Sequence, residues 1–178
     1  MKSSSFIKEA FYILCTSKKP KEISVNTIIK KAGVNRSTFY YYYKNKEDLV
    51  DQLQNEVLHT FFNILQFEDR NRELILKNFG HYDSPQVYAC CHYVQLNQHI
   101  FHIWFNDIDF VDKFSERLIN YSKTFSNNET HCIYASYGAI GYFKHWIQSN
   151  CSESYFKVAK AILDLFKHAF TLDKNLTK

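Results

Sequence analysis

The 178-residue chain predicts an all-α fold, and three observations carry that prediction. Only two prolines and four glycines interrupt it. Apolar residues recur at steps of three and four, the spacing of one buried helix face. No alternating run of Val, Ile and Thr marks a strand. The expected architecture is an N-terminal helix-turn-helix unit, residues 1–46, on a larger helical body, residues 47–178.

A first helix is expected over 4–16, with Phe6, Ala10, Ile13 and Leu14 on one side and Lys18-Lys19-Pro20 ending it. Ser24 is a suitable N-cap for a short second helix, 25–32, whose inner face would be Val25, Ile28, Ile29 and Ala32. Gly33 follows, where a left-handed residue can terminate a helix. Asn35 would cap a third helix holding Phe39 and Tyr43, an i, i+4 pair suited to packing inward beside Val34. Lys44-Asn45-Lys46 breaks it, and a long fourth helix should run over 46–66. Two short helices joined by a glycine turn make a helix-turn-helix.

Beyond residue 66 the pattern is coarser. Residues 68–82 are ambiguous, with a helical turn possible at 72–79 before Gly80. Ser84-Pro85 marks a helix start, with the hydroxyl as cap and proline in the first helical position. Helices are expected over 85–105 (with a break near Asn97), 108–125, 130–149 and 154–170. In the last, Phe156, Ala159, Leu163, Phe166 and Phe170 form a stripe suited to packing on another helix. Gly138 and Gly141, three apart in the preceding helix, would let a neighbour approach closely.

Tyr40 to Tyr43 pose a problem that this frame resolves. Successive helical residues point about 100° apart, so four rings in a row cannot share one core. With Phe39 and Tyr43 inward, Tyr40, Tyr41 and Tyr42 face outward. The charge is equally uneven. Residues 1–46 hold ten Lys and Arg against Glu9 and Glu22, a net of +8, while the remainder nets −4. Such a split points to a basic end that meets a polyanion, DNA or a membrane surface.

The stretch SVNTIIKKAGVNRSTFYYYYKNKEDL resembles the DNA-binding domain of the tetracycline-repressor family. The matching features are the Ser24-capped helix, Ile28, the Ala32-Gly33-Val34 turn, Thr38-Phe39-Tyr40, and Lys46 ahead of Glu47 and Leu49. GAIGYFKHWI at 138–147 resembles the penultimate helix of short members in the dihydroxyacetone-kinase activator subgroup. Two departures are Ile29, where alanine is common, and Tyr42, where many members carry histidine. The resemblance implies a homodimeric regulator of transcription, usually a repressor, that binds a palindromic double-stranded operator and answers a small-molecule effector; the alternatives are a metal-sensing or activating regulator of the same fold, or a helical interaction module that does not bind DNA. It places DNA contacts at Ser24, Thr27, Arg36, Ser37, Thr38, Tyr40, Tyr41, Tyr42 and Lys46. Arg36 can make bidentate bonds to guanine O6 and N7, and tyrosine hydroxyls can donate to phosphate. Lys46 would add a phosphate contact at a helix N-terminus.

In the body, Tyr93, Phe101, Trp104, Phe105, Tyr137 and Trp146 are the candidate lining of an effector pocket, with ordinary core as the competing reading. Gly138, Gly141, Phe156, Ala159, Leu163, Phe166 and Phe170 are the candidate dimer interface. Cys91, His92, His99 and His102 cluster along the chain, but their spacing matches no metal motif, so no metal and no cofactor are expected. There is no nucleophile elbow, phosphate-cradling glycine loop or H-E-x-x-H, which argues against an enzyme. No run approaches the roughly 18 apolar residues of a membrane span, and the N-terminus lacks a signal-peptide core. A cytoplasmic protein without a membrane partner is therefore expected. The five cysteines, odd in number and without C-x-x-C, suit reduced thiols.

Overall fold

A computed structural model describes residues 2–66, 84–124 and 126–176, with side chains described except those of Lys2 and 167–176. Among the described residues there are nine α-helices and no strand: α1 Lys2–Cys15, α2 Val25–Ala32, α3 Arg36–Tyr42, α4 Lys46–Gln66, α5 Pro85–Leu96, α6 Gln98–Trp104, α7 Ile108–Ser122, α8 Glu129–Gln148 and α9 Tyr155–Leu176. A 3-10 turn, Pro20–Glu22, lies between α1 and α2. The expected turn at 72–79 lies outside the described residues.

The chain divides into two compact units, Met1–Leu58 and His59–Lys178. The first therefore extends past residue 46, and the reason is packing. Leu49, Leu53, Val57 and Leu58 of α4 are buried and complete a core with Ile7, Ala10, Phe11, Ile23, Ile28, Phe39 and Tyr43. Within this unit α1 packs across α2 and α3, and Lys8 pairs with Glu56.

Local chemistry sets the short helices of the first unit. The Thr27 N–H donates to Ser24 Oγ at 3.2 Å, capping α2. Gly33 ends it at φ +65°, a left-handed conformation that favours glycine. Asn35 Oδ1 accepts from the Thr38 N–H and caps α3. At the next turn Asp48 N–H donates to Asn45 Oδ1 at 2.7 Å, and Lys44 N–H donates to Asp48 Oδ2 at 2.8 Å. The Lys44 and Gln52 bonds hold the Asp48 carboxyl below its ordinary value.

In the second unit α9 lies against α5 and α8, and α6 and α7 also pack on α8. Its core is dominated by rings. Phe61 of α4 sits 4.8 Å from Phe114 and 6.0 Å from Phe143. Phe105 and Phe110 adjoin Phe114 at 5.6 and 6.0 Å. Two buried hydroxyls, Ser122 and Ser136, meet at 3.2 Å between α7 and α8, and Ser122 also bonds the Leu118 carbonyl. The α8–α9 turn carries Asn150 and Cys151 at φ 54° and 51°. The Trp146 indole N–H there donates to the Glu153 carbonyl at 2.9 Å.

Two expectations for helix starts and breaks meet the structure differently. Asn97 does separate α5 from α6. Ser84, however, makes no side-chain cap bond, because its backbone (φ −153°, ψ 75°) is not in the extended cap conformation. Its carbonyl accepts from the Val87 N–H instead.

Candidate nucleic-acid interface

The outward surface of α3 is fixed by what it and its C-cap bury; the helix ends at Tyr42, one residue short of the expected inclusion of Tyr43, whose backbone is extended (φ −136°, ψ 129°). Phe39 and Tyr43 are fully buried with rings 5.6 Å apart, and the Tyr43 hydroxyl meets Ser4 Oγ at 3.0 Å. That sets the rotation of the helix. Tyr41 is 82% exposed and Tyr40 44%, while Tyr42 is half-buried, its ring edge-on to Tyr41 at 4.9 Å. Arg36 is exposed and lies along Tyr40, its guanidinium carbon 5.5 Å from the ring centroid. Its Nη2 also approaches the Tyr40 hydroxyl at 3.5 Å. These two contacts hold the guanidinium beside Tyr40 on the exposed surface of α3.

The remaining predicted contacts are more constrained. Ser37 is exposed and Thr38 half-buried, and both hydroxyls donate to Asn35 Oδ1. Ser24 and Thr27 join hydroxyl to hydroxyl at 2.9 Å at the start of α2. Lys46 is only 19% exposed along its side chain, and its ammonium donates to the Lys21 carbonyl at 3.0 Å. An ammonium has three donors, so this bond anchors Lys46, whose charge also lies 3.9 Å from a Glu47 carboxylate oxygen, and still leaves donors for an anion. Sequence reasoning missed that anchor, since nothing in the spacing of residues 21 and 46 signals it.

In the second unit the predicted effector residues are not gathered round one described groove, though Tyr137 borders one of about 330 Å³ beside α7. Phe101, Trp104, Phe105 and Trp146 are buried against other rings, Tyr93 stands edge-on to Phe101 at 5.6 Å, and Tyr137 is 51% exposed on α8. Rings at helical spacing have packed on each other, the ordinary reading. A groove of about 770 Å³ lies elsewhere, lined by His59, Phe62, Asn63, Leu65 and Gln66 of α4, Gln86 of α5, and Arg117, Asn120, Tyr121 and Thr124 after or within α7. Tyr121 donates to the Leu65 carbonyl at 3.3 Å. Burial, reinforced by the neighbouring Cys90, pushes its phenol up, so it stays a neutral donor. Its polar residues do recur at helical spacing, His59, Asn63 and Gln66 on α4 and Arg117, Asn120 and Thr124 along and just after α7, but a polar stripe of that period is the ordinary mark of a solvated helix face.

The predicted dimer residues are split as well. Gly138 and Gly141 are exposed on α8, and a Cβ built on either meets nothing within 4 Å among the described residues. Ile133, Tyr134 and Tyr137 are exposed beside them, a helical stripe present in the sequence but missed. On α9 Phe156 is partly exposed, with its ring 5.1 Å from Tyr88, and Leu163 and Phe166 are half-buried. Ala159 is fully buried with Val158 and Ile162. It therefore serves the unit's own core and is not on a free surface. The side chain of Phe170 lies outside the described residues.

The Cys/His cluster is likewise dispersed. Cys91 is buried, the His92 ring packs 4.7 Å from Tyr155, and His99 and His102 are exposed on α6. Among the described residues no three His, Cys, Asp or Glu side chains converge as a metal site would need, and no helix is long and apolar enough to cross a membrane.

Comparison with known proteins agrees with this geometry. Residues 20–53, from the 3-10 turn into α4, match the family model of bacterial regulatory proteins, tetR family. Among solved structures, the dihydroxyacetone kinase operon activator DhaS aligns with a TM-score of 0.64 at 20% identity, over 96% of this chain and 97% of its own. A transcriptional regulator (TerR/AcrR family) from Aquifex aeolicus VF5 aligns with a TM-score of 0.64 at 13% identity, over 94% and 99%. No curated protein matches the sequence. With α2, the Gly33 turn and α3 in place, residues 20–53 carry a helix-turn-helix of the kind found in bacterial regulatory proteins of the tetR family, and the chain as a whole shares the fold of such regulators.

Proposed function

We propose that the protein is a ligand-responsive repressor that binds a palindromic operator as a homodimer. One observation carries the reading: Phe39 of α3 and its C-cap Tyr43 are buried, so Arg36, Ser37, Tyr40 and Tyr41 turn outward from a unit with ten basic side chains against six acidic ones. Arg36 reads guanine, the tyrosines hold phosphate and sugar on either side, and Lys46 adds a backbone contact beside its bond to Lys21. One such helix reads too few base pairs for useful specificity, so two copies act together about a twofold axis.

The exposed glycines of α8, with Tyr134 and Tyr137, support α8 as the self-complementary surface. The 770 Å³ groove in the second unit supports an effector site, in place of the aromatic set. An effector shifts DNA binding only by the difference in its affinity for the two states of the dimer.

The test is selection of duplexes from a random library by the wild type and by Arg36→Ala. The wild type should recover a palindrome, with affinity falling steeply as salt rises. Arg36→Ala should cost about 1–3 kcal/mol and relax preference at one position per half-site. Unchanged site and affinity would remove Arg36 from the interface. A reporter under the selected operator gives the sign: repression predicts higher expression when the protein is deleted. A fall would make it an activator, the activity named for DhaS.

A further inference from the structure

At the start of α3 a single oxygen decides what two side chains can recognise. Asn35 Oδ1 lies 2.7 Å from the Thr38 amide nitrogen, 2.7 Å from Thr38 Oγ1 and 2.8 Å from Ser37 Oγ. A backbone N–H can only donate, so the Asn35 atom facing it is the carbonyl oxygen and not the NH2 group. That oxygen only accepts. Each hydroxyl beside it must therefore direct its one proton inward, and Ser37 and Thr38 turn oxygen lone pairs outward. Rotating Asn35 away to release them would leave the Thr38 N–H of the first helical turn without its cap.

Acceptors of this kind discriminate sharply among the groups on DNA. Phosphate oxygens offer only lone pairs, so neither hydroxyl can bond to the backbone while the Asn35 arrangement holds. In the major groove the exocyclic amines, N6 of adenine and N4 of cytosine, are donors and fit it. The neighbouring Arg36 is the reverse, a guanidinium that donates and cannot accept. We propose that Asn35 fixes Ser37 and Thr38 as acceptor-only readers, so that the start of α3 selects base pairs presenting an adenine or cytosine amine and takes no phosphate contact there. The inference rests on the DNA-binding reading above and specifies its chemistry.

The experiment uses the full chain and the selected operator. Each adenine of a half-site is replaced in turn by purine, which lacks the N6 amine, and each cytosine by 2-pyrimidinone, which lacks the N4 amine. Binding is measured for the wild type, Ser37→Ala and the near-isosteric Thr38→Val, with thermal melting to confirm that each is folded. At one or two positions per half-site the wild type should lose about fivefold or more in affinity on removal of the amine. Ser37→Ala or Thr38→Val should abolish that sensitivity at its own position while leaving the slope of log Kd against log salt unchanged.

Two results overturn the inference and leave the DNA-binding reading intact. One is that neither variant changes amine sensitivity at any position. The other is a salt slope lowered by about one unit per half-site, the mark of a lost phosphate contact. Absence of salt-dependent duplex binding by the wild type would instead refute the DNA-binding reading, and this inference with it.

Discussion

Replacing Gly141 with glutamate should move the stability of the single chain and that of the dimer in opposite directions. A Cβ at Gly141 meets nothing within 4 Å among the described residues, so the protomer accepts a side chain there without strain. Removing glycine from a helix interior also gains roughly 0.5–1 kcal/mol against alanine, and glutamate is a comparably good helix former. For a chain of this size that raises the melting temperature by about 1–4 °C. In a dimer closed through α8, each glutamate would place an unpaired carboxylate in a close contact, at a cost on the order of 3–5 kcal/mol. The twofold axis doubles that cost, so the dimer constant weakens by about four orders of magnitude or more. Sedimentation velocity over a concentration series reads the association, and melting at low concentration reads the protomer. Gly141→Ala is the milder control, expected to raise the protomer's melting temperature in the same way. The predicted outcome is a folded monomer that no longer binds operator, although its helix-turn-helix is untouched. A variant that stays dimeric with unchanged affinity would refute the reasoning. So would a clear fall in melting temperature, which would mean that Gly141 is covered within the chain itself.

Tyr43→Ala should destabilise the first unit by about 3–5 kcal/mol in chemical denaturation, because its ring is buried against Phe39. Tyr40→Phe should leave melting unchanged and weaken DNA binding, and equal stability losses at the two positions would mean that α3 is rotated. Lys46→Ala should weaken all operator sequences alike and lower the salt slope by about one unit per half-site. It should also cost about 1 kcal/mol of stability through the lost Lys21 bond. A normal salt slope with lower stability would leave Lys46 purely structural. Because the folded state depresses the Asp48 pKa, the stability it contributes is full above its unfolded value near 4 and is lost as pH falls through the folded one. Asp48→Asn should flatten acid unfolding curves in that window, and identical pH profiles for variant and wild type would contradict the assignment.

The helix-turn-helix was legible because its signals are local. Ser24, Gly33 and Asn35 act on backbone groups within three or four residues, and Phe39 with Tyr43 meet across one helical turn. The break at Asn97 and the start at Pro85 are local in the same sense. What escaped depends on partners distant in sequence. Whether Trp104 lines a cavity or fills a core is decided by Phe110, against which it stacks at 6.2 Å. Ala159 shares a stripe with Phe156, yet the way α9 seats on α5 and α8 buries one and leaves the other partly exposed. The anchoring of Lys46 on Lys21 joins two lysines that no charge pattern would pair, since the acceptor is a backbone carbonyl.

The placement of the two tryptophans makes the molecule a two-channel optical reporter. Trp104 and Trp146 are the only indoles in the chain, and both are buried in the second unit. The first unit has none, but carries the exposed phenols of α3. Red-edge excitation therefore samples the body alone, and its emission records an effector entering the groove only insofar as the surrounding rings move. Tyrosine emission, excited further to the blue and separated by difference, includes the face proposed to meet DNA, where stacking against sugar and base would quench it. Effector and operator can thus be titrated into one unlabelled sample, each with its own signal. Whether the operator alters the indole emission is then a direct optical measure of communication from one unit to the other.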